Sequence, residues 1–217
     1  PLPDTKDGFY GNFNEAEFSI PAPGFSSNIS SAQAKWILLP DLGRSAGNMG
    51  IQPVTASSAD PSNAPRLEYK VYLPASEKTT VMLGVLPTQD VNPARGLRIA
   101  VSVDGEEPKV IDARKGLVDT FGEYTPANLA LSKVLKPLPR SEKDHALVGR
   151  RTPRRSDVFD NLRWLDVELD VKTTGFHTLK VFMIDPEVVL ETIVVNPDNK
   201  HASYFGAPPI LHNADKK

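Results

Sequence analysis

The 217-residue chain contains no cysteine. Disulfides, thiolate metal sites and cysteine nucleophiles are therefore excluded. The redox compartment stays open, because a cysteine-free chain suits cytosol and periplasm equally. No apolar run approaches the ~20 residues that a bilayer-crossing helix needs. An excess of one charge is also lacking: 25 Lys/Arg face 27 Asp/Glu, a formal net charge of −2. Such a balance gives no global reason to expect nucleic acid or an anionic membrane as partner. The sequence has no G-x-S-x-G, H-E-x-x-H, P-loop or G-x-G-x-x-G motif, so the standard signatures of hydrolase, zinc and nucleotide sites are missing. It shows no internal repeat, low-complexity tract or linker, and one domain over residues 1–217 is expected.

What the chain does have is punctuation. Twenty prolines and fourteen glycines are scattered at short intervals, a pattern that suits many short strands and turns. RLEYKVYL, from Arg66, is the clearest period-two segment. It puts Leu67, Tyr69, Val71 and Leu73 on one face and Glu68, Lys70 and Tyr72 on the other. Further strands are expected at Phe13–Ile20, Trp36–Leu39, Ile51–Thr55, from Thr79, over Gly96–Asp112 and at Arg163–Val171. Val-Asp-Gly-Glu within Gly96–Asp112 is a hairpin signal. Roughly nine or ten strands with turns between them are the mark of a sandwich. The expected fold is all-β: an antiparallel β-sandwich of jelly-roll type with one or two short helices. Core and solvent faces should alternate along Arg66–Leu73 and Gly96–Asp104.

One region breaks the rhythm. Residues 112–160 hold a short helical pattern at Pro126–Leu135, followed by KPLPRSEKDHALVGRRTPRR. Between Lys133 and Arg155 there are eight Lys/Arg and two Asp/Glu. This reads as a basic surface insertion at about 122–160, with an acidic sugar or a neighbouring subunit as the alternative to simple solvation. It lacks interleaved aromatics, so nucleic acid is not expected. The chain begins at Pro1, which reads as a processed end and leads to an expectation of a secreted or periplasmic protein.

GFHTLKVFMIDPEVVLETIVV, residues 175–195, poses the central question. It is either a His/Asp/Glu reaction centre or two strands joined by an Asp-Pro turn. Strand alternation puts His177 with Leu179 and Val181 on the core face, where hydrogen bonding at a sheet edge is expected rather than catalysis. Asp185-Pro186 is a good turn opener. Glu191 lies among apolar residues and needs a partner if it points inward. Glu15 and Glu17 project from one strand face about 6.6 Å apart, within the range for paired glycosidase carboxylates. They read as solvent-facing, with structural calcium as an alternative; no other cofactor is expected. The turn in LGRSAGNMG has backbone amides suited to an anion, but with no helix following, it reads as a tight turn between strands. No catalytic residue is assigned. Carbohydrate binding asks only for exposed rings and a few polar groups. Trp36 and Trp164 read as core, and Tyr10, Phe121, Tyr124 and Tyr204, in loop-like sequence, are the platform candidates.

Five blocks in order, AKWILLPDLGRSAGNMGIQPVTA, RLEYKVYLP, VLPTQDVNPARGLRIAVSVDGEEP, GFHTLKVFMIDPEVVLETIVV and ASYFGAPP, resemble the C-terminal β-sandwich domain of family 115 glycoside hydrolases. These are xylan α-glucuronidases. The similarity runs from about Phe13 to Pro209 and departs between about Gly122 and Asn161. NEAEF and VVLETIVV also resemble galactose-binding-like modules. The family's active site is assembled largely by preceding domains, including a barrel, so the resemblance implies no catalytic residue in this chain. It implies a non-catalytic accessory module of plant-polysaccharide (glucuronoxylan) degradation. The alternatives are a carbohydrate-binding module for xylan or uronic-acid sugars and a stand-alone glycoside hydrolase. The expected partners are a plant polysaccharide, a catalytic domain or partner subunit, or a second copy of the chain, with no membrane span.

Overall fold

The computed structural model describes residues 8–11, 13, 17–45, 47–89, 91–92, 95–114, 157–158, 160–195 and 207–213. Thirteen strands occur among them. β1 (Gly8–Tyr10), β2 (Phe18–Pro21), β3 (Ser27–Ile29), β4 (Lys35–Pro40) and β5 (Gly47–Gln52) come first. β6 (Arg66–Leu73), β7 (Ser76–Val85), β8 (Arg98–Val103) and β9 (Lys109–Asp112) follow. β10 (Arg163–Val171), β11 (Gly175–Met183), β12 (Leu190–Val195) and β13 (Leu211–Asn213) complete the set.

These strands form two sheets. One has the order β13-β1-β6-β11-β8-β9, with β3 also pairing β6; the other has the order β10-β7-β12-β5-β4, with β2 also pairing β12. Pairing is antiparallel except between β1 and β6, where Tyr10 lies opposite Val71. Period-two alternation dictates the layering. Leu67, Tyr69, Val71 and Leu73 of β6 and Leu179 and Val181 of β11 meet Val81, Leu83 and Val85 of β7 and Ile193 and Val195 of β12 in one buried cluster. Burying each such side chain stabilises the fold by roughly 1.5–3 kcal/mol. The molecule is an antiparallel β-sandwich of jelly-roll type. Asp157, Val158 and Asp160 are helical, and the helix expected at Pro126–Leu135 lies outside the described residues, as does most of the basic insertion. No helix among the described residues is long and apolar enough to cross a membrane.

Several expectations are corrected. β8 does not alternate between core and solvent: its outer residue Ala100 packs with Phe182, Ile184 and Ala64 in a second, smaller cluster. The glycine-rich segment is shorter as a turn than its composition suggests, because β5 already starts at Gly47. There Gly50 makes room for Leu39, whose Cδ1 lies only 2.6 Å from where a Cβ would sit. Trp36 is buried and donates its indole N–H to Pro65 O at 3.1 Å. Trp164 differs from its expected core position: it is half-buried on the outer side of its sheet, paired opposite Gly84 and covering it.

Candidate functional site

The three groups that would have to converge for catalysis do not. β11 and β12 belong to different sheets, so Asp185-Pro186 opens a crossing between layers rather than a hairpin. His177 sits at the start of β11, an interior strand rather than a sheet edge. About 20 Å of extended chain separates it from the end of that strand, beyond which Asp185 lies. His177 Nδ1 lies 2.7 Å from Asp104 Oδ2 and Nε2 lies 2.9 Å from Thr173 O, which occupies both ring nitrogens. Asp104 adopts a left-handed φ of 51° in the β8–β9 turn and also accepts the Thr178 N–H at 2.9 Å. Partial burial raises the Asp104 pKa, but the hydrogen bonds from His177 and Thr178 outweigh it and hold the carboxyl below its usual range.

Asp185 is fully buried. Its Oδ2 accepts the Arg98 backbone N–H and Nε, each at 2.8 Å, and its Oδ1 accepts Ser58 Oγ at 2.6 Å and Arg98 Nη2 at 3.1 Å. Next to it, Glu187 is paired with Arg95. These bonds tie the turn after β11 to the start of β8 and to the segment beside Ser58.

Glu191 is buried, outside the apolar cluster between the sheets and beneath the turn at 41–45. Its Oε1 accepts the Arg44 backbone N–H at 2.8 Å. Burial pushes its carboxyl above the usual range, and donors from Arg44 and Ser45 only partly offset this. The turn at 41–45 therefore does bind an anion through its amides, and the anion is the chain's own Glu191. Gly43, at φ 79°, is required: a Cβ there would stand 2.8 Å from Glu191 Oε2 and 2.7 Å from Asn48 Nδ2. A groove of about 400 Å³ opens beside this contact, lined in part by Arg44, Ser45, Glu191, Pro208 and Pro209.

Of the platform candidates, Tyr10 is corrected. It lies in β1, 2% exposed, seated against Gly24, where a Cβ would fall 2.2 Å from its hydroxyl. Burial raises its pKa to about 12, and its ring offers no exposed face. Phe121, Tyr124 and Tyr204 lie outside the described residues, as does Glu15; Glu17 is half-buried. No group of three or more His, Asp or Glu among the described residues is placed to hold a metal ion.

Exposed rings do gather elsewhere, on the outer face of the β13-β1-β6-β11 end of the larger sheet. Phe9 and His212 are cross-strand partners, stacked at 4.9 Å and 20°. Tyr72 and Phe176 are also cross-strand partners, edge to face at 5.5 Å. Phe9 meets Phe176 at 4.9 Å and 84°. Phe13 closes the cluster, 4.7 Å from Tyr72 and 5.1 Å from His212. Phe176 is 70% and Phe13 58% exposed, the unusual condition for large apolar side chains. Alternation in the sequence already puts Tyr72 and Phe176 on polar faces, and a large ring on such a face is the signal. The register that joins them to β1 and β13 is tertiary.

The glycosyl hydrolase family 115 C-terminal domain matches residues 15–123 and 152–209. No curated protein matches the chain. Among solved structures, BtGH115A, described as a family GH115 4-O-methyl-α-glucuronidase with specificity for decorated arabinogalactans, is 18% identical with a TM-score of 0.45. That match covers 81% of this chain and 18% of BtGH115A. The C-terminal CBM6 of LamC, a laminarinase from Zobellia galactanivorans, is 12% identical with a TM-score of 0.47, over 83% of this chain and 98% of that one. A family 35 carbohydrate-binding module from Clostridium thermocellum is 12% identical with a TM-score of 0.46, over 82% and 97%. Identities this low carry no residue role across.

Proposed function

This chain belongs to the glycosyl hydrolase family 115 C-terminal domain family, and on that premise we propose that it is a carbohydrate-associated accessory module, itself without hydrolytic activity, serving glucuronoxylan degradation outside the cytoplasm. The observation that supports this reading is the disposition of the acidic groups. Asp185 and Glu191 are buried and held by Arg98, Ser58 and Arg44 at separate points in the sandwich. Neither is available as a member of a carboxylate pair spanning a glycosidic bond, which needs roughly 5–10 Å and access to substrate. The test is release of uronic acid from glucuronoxylan by the 217-residue chain. No release above blank is expected. Release that Glu191→Gln or Glu17→Gln abolishes would show a hydrolase instead.

A second reading, weak binding of xylan or uronic-acid sugars, is favoured by the exposed ring cluster around Phe9. Saturable heat on calorimetric titration with xylan or glucuronic acid is its expected signature, and a flat titration rejects it.

A further inference from the structure

We infer that the outer face of the β13-β1-β6-β11 sheet end is a polysaccharide-binding strip, on which Phe13 and Phe176 stack against sugar rings of an extended, uronic-acid-bearing plant glycan. This inference rests on the carbohydrate-associated reading above and adds to it the site and the mode of binding.

Chemistry comes first. Five rings meet here: Phe9, Phe13, Tyr72, Phe176 and His212. Ring faces carry negative π density and attract the weakly positive C–H groups that line one side of a pyranose. Preorganisation comes second. Phe9 and Tyr72 are half-buried and stand between the two exposed rings. The His212 ring is fixed by its Nε2 at 2.9 Å from Gly11 O. The exposed rings are therefore buttressed by edge-to-face contacts, and little side-chain freedom remains to be lost on binding.

Shape is the third consideration. Neighbouring ring centroids stand 4.7–6.0 Å apart, so the rings gather into one compact patch. With Phe13 and Phe176 exposed on it, the patch is an open surface, suited to a chain and not to a single buried monosaccharide. Charge is the fourth. The rung next to Tyr72 and Phe176 on the same outer face pairs Lys70 with Thr178. It places an ammonium group and a hydroxyl beside the rings, complementary to a uronate and to sugar hydroxyls; one rung further on, Glu68 lies opposite Lys180, which donates to Asp104 O.

The test is affinity electrophoresis of the full chain in gels containing glucuronoxylan or undecorated xylan, with sedimentation velocity alongside. Retardation by glucuronoxylan is expected, weakened about tenfold in Phe176→Ala and in Phe13→Ala, and unchanged in Val110→Ala, an exposed position away from the strip. Thermal midpoints within a few degrees of the parent show that the variants are folded. If folded Phe13→Ala/Phe176→Ala binds as the parent does, the strip assignment is wrong while the carbohydrate reading stands. If the parent binds no glycan, both fall. If the parent is a dimer that Phe176→Ala dissociates and no glycan is bound, the strip belongs to a second copy and the inference is overturned.

Discussion

Glu191 Oε1 accepts the backbone N–H of Arg44 at 2.8 Å, although the two residues are 147 positions apart in the chain. The contact joins the start of β12 to the turn between β4 and β5. It also seats an acidic side chain in the apolar strand VVLETIVV. Its other oxygen has no hydrogen-bond partner among the described residues, so the charged form is only partly compensated.

A pH dependence follows. Burial raises the Glu191 carboxyl above its usual range, so the folded protein binds this proton more tightly than the unfolded chain does. The corresponding stability is fully present in acid and is lost as pH rises from the ordinary carboxylate range through the raised value. Glu191→Gln keeps the acceptor for Arg44 and removes the charge. Urea unfolding midpoints should match the parent at the acid end and exceed it increasingly toward neutral pH. A variant less stable than the parent at neutral pH would contradict this.

Asp104 behaves with the opposite sign. Its carboxyl is held below the usual range by His177 and Thr178, so its contribution is present above the unfolded value and lost as pH falls through the depressed one. Asp104→Asn should cost about 1 kcal/mol at neutral pH, and the difference from the parent should shrink in acid. Thermal melts across the two pH ranges measure it.

Asp185 is the anchor expected to matter most. Asp185→Ala leaves Arg98 and Ser58 without their acceptor and should destabilise by about 3–5 kcal/mol. A loss below about 1 kcal/mol in urea unfolding would show that Arg98 finds solvent readily and that the bond network is incidental.

Gly43→Ala tests the anion-holding turn. The substitution meets both a left-handed φ and contacts under 3 Å. A loss of about 1–3 kcal/mol is expected, and it should be smaller in a Glu191→Ala background, where one of the two clashing side chains is gone. Equal losses in both backgrounds would uncouple the turn from Glu191.

The long strands were legible because one face of each is buried. Arg66–Leu73 and Arg163–Val171 alternate in the sequence as they do in the sandwich, and the Val-Asp-Gly-Glu hairpin appears as the β8–β9 turn. β1, β3 and β13, three residues each, were not legible, since so short a segment shows no period. Nor were the partners of His177, Asp185 and Glu191, which come from Asp104, Arg98 and Arg44, 73, 87 and 147 positions away. The ring strip was half legible. Tyr72 and Phe176 announce themselves by lying on polar faces, whereas Phe9 and His212 join them only through the β1–β13 pairing.

That pairing sets Gly8 opposite Asn213, so the first and last described strands meet at one corner of the sandwich, beside the rings of Phe9 and His212. Two strands that lie about 200 residues apart in the chain thus close one edge of the larger sheet together, and little chain entropy separates their outer ends once the sandwich has formed.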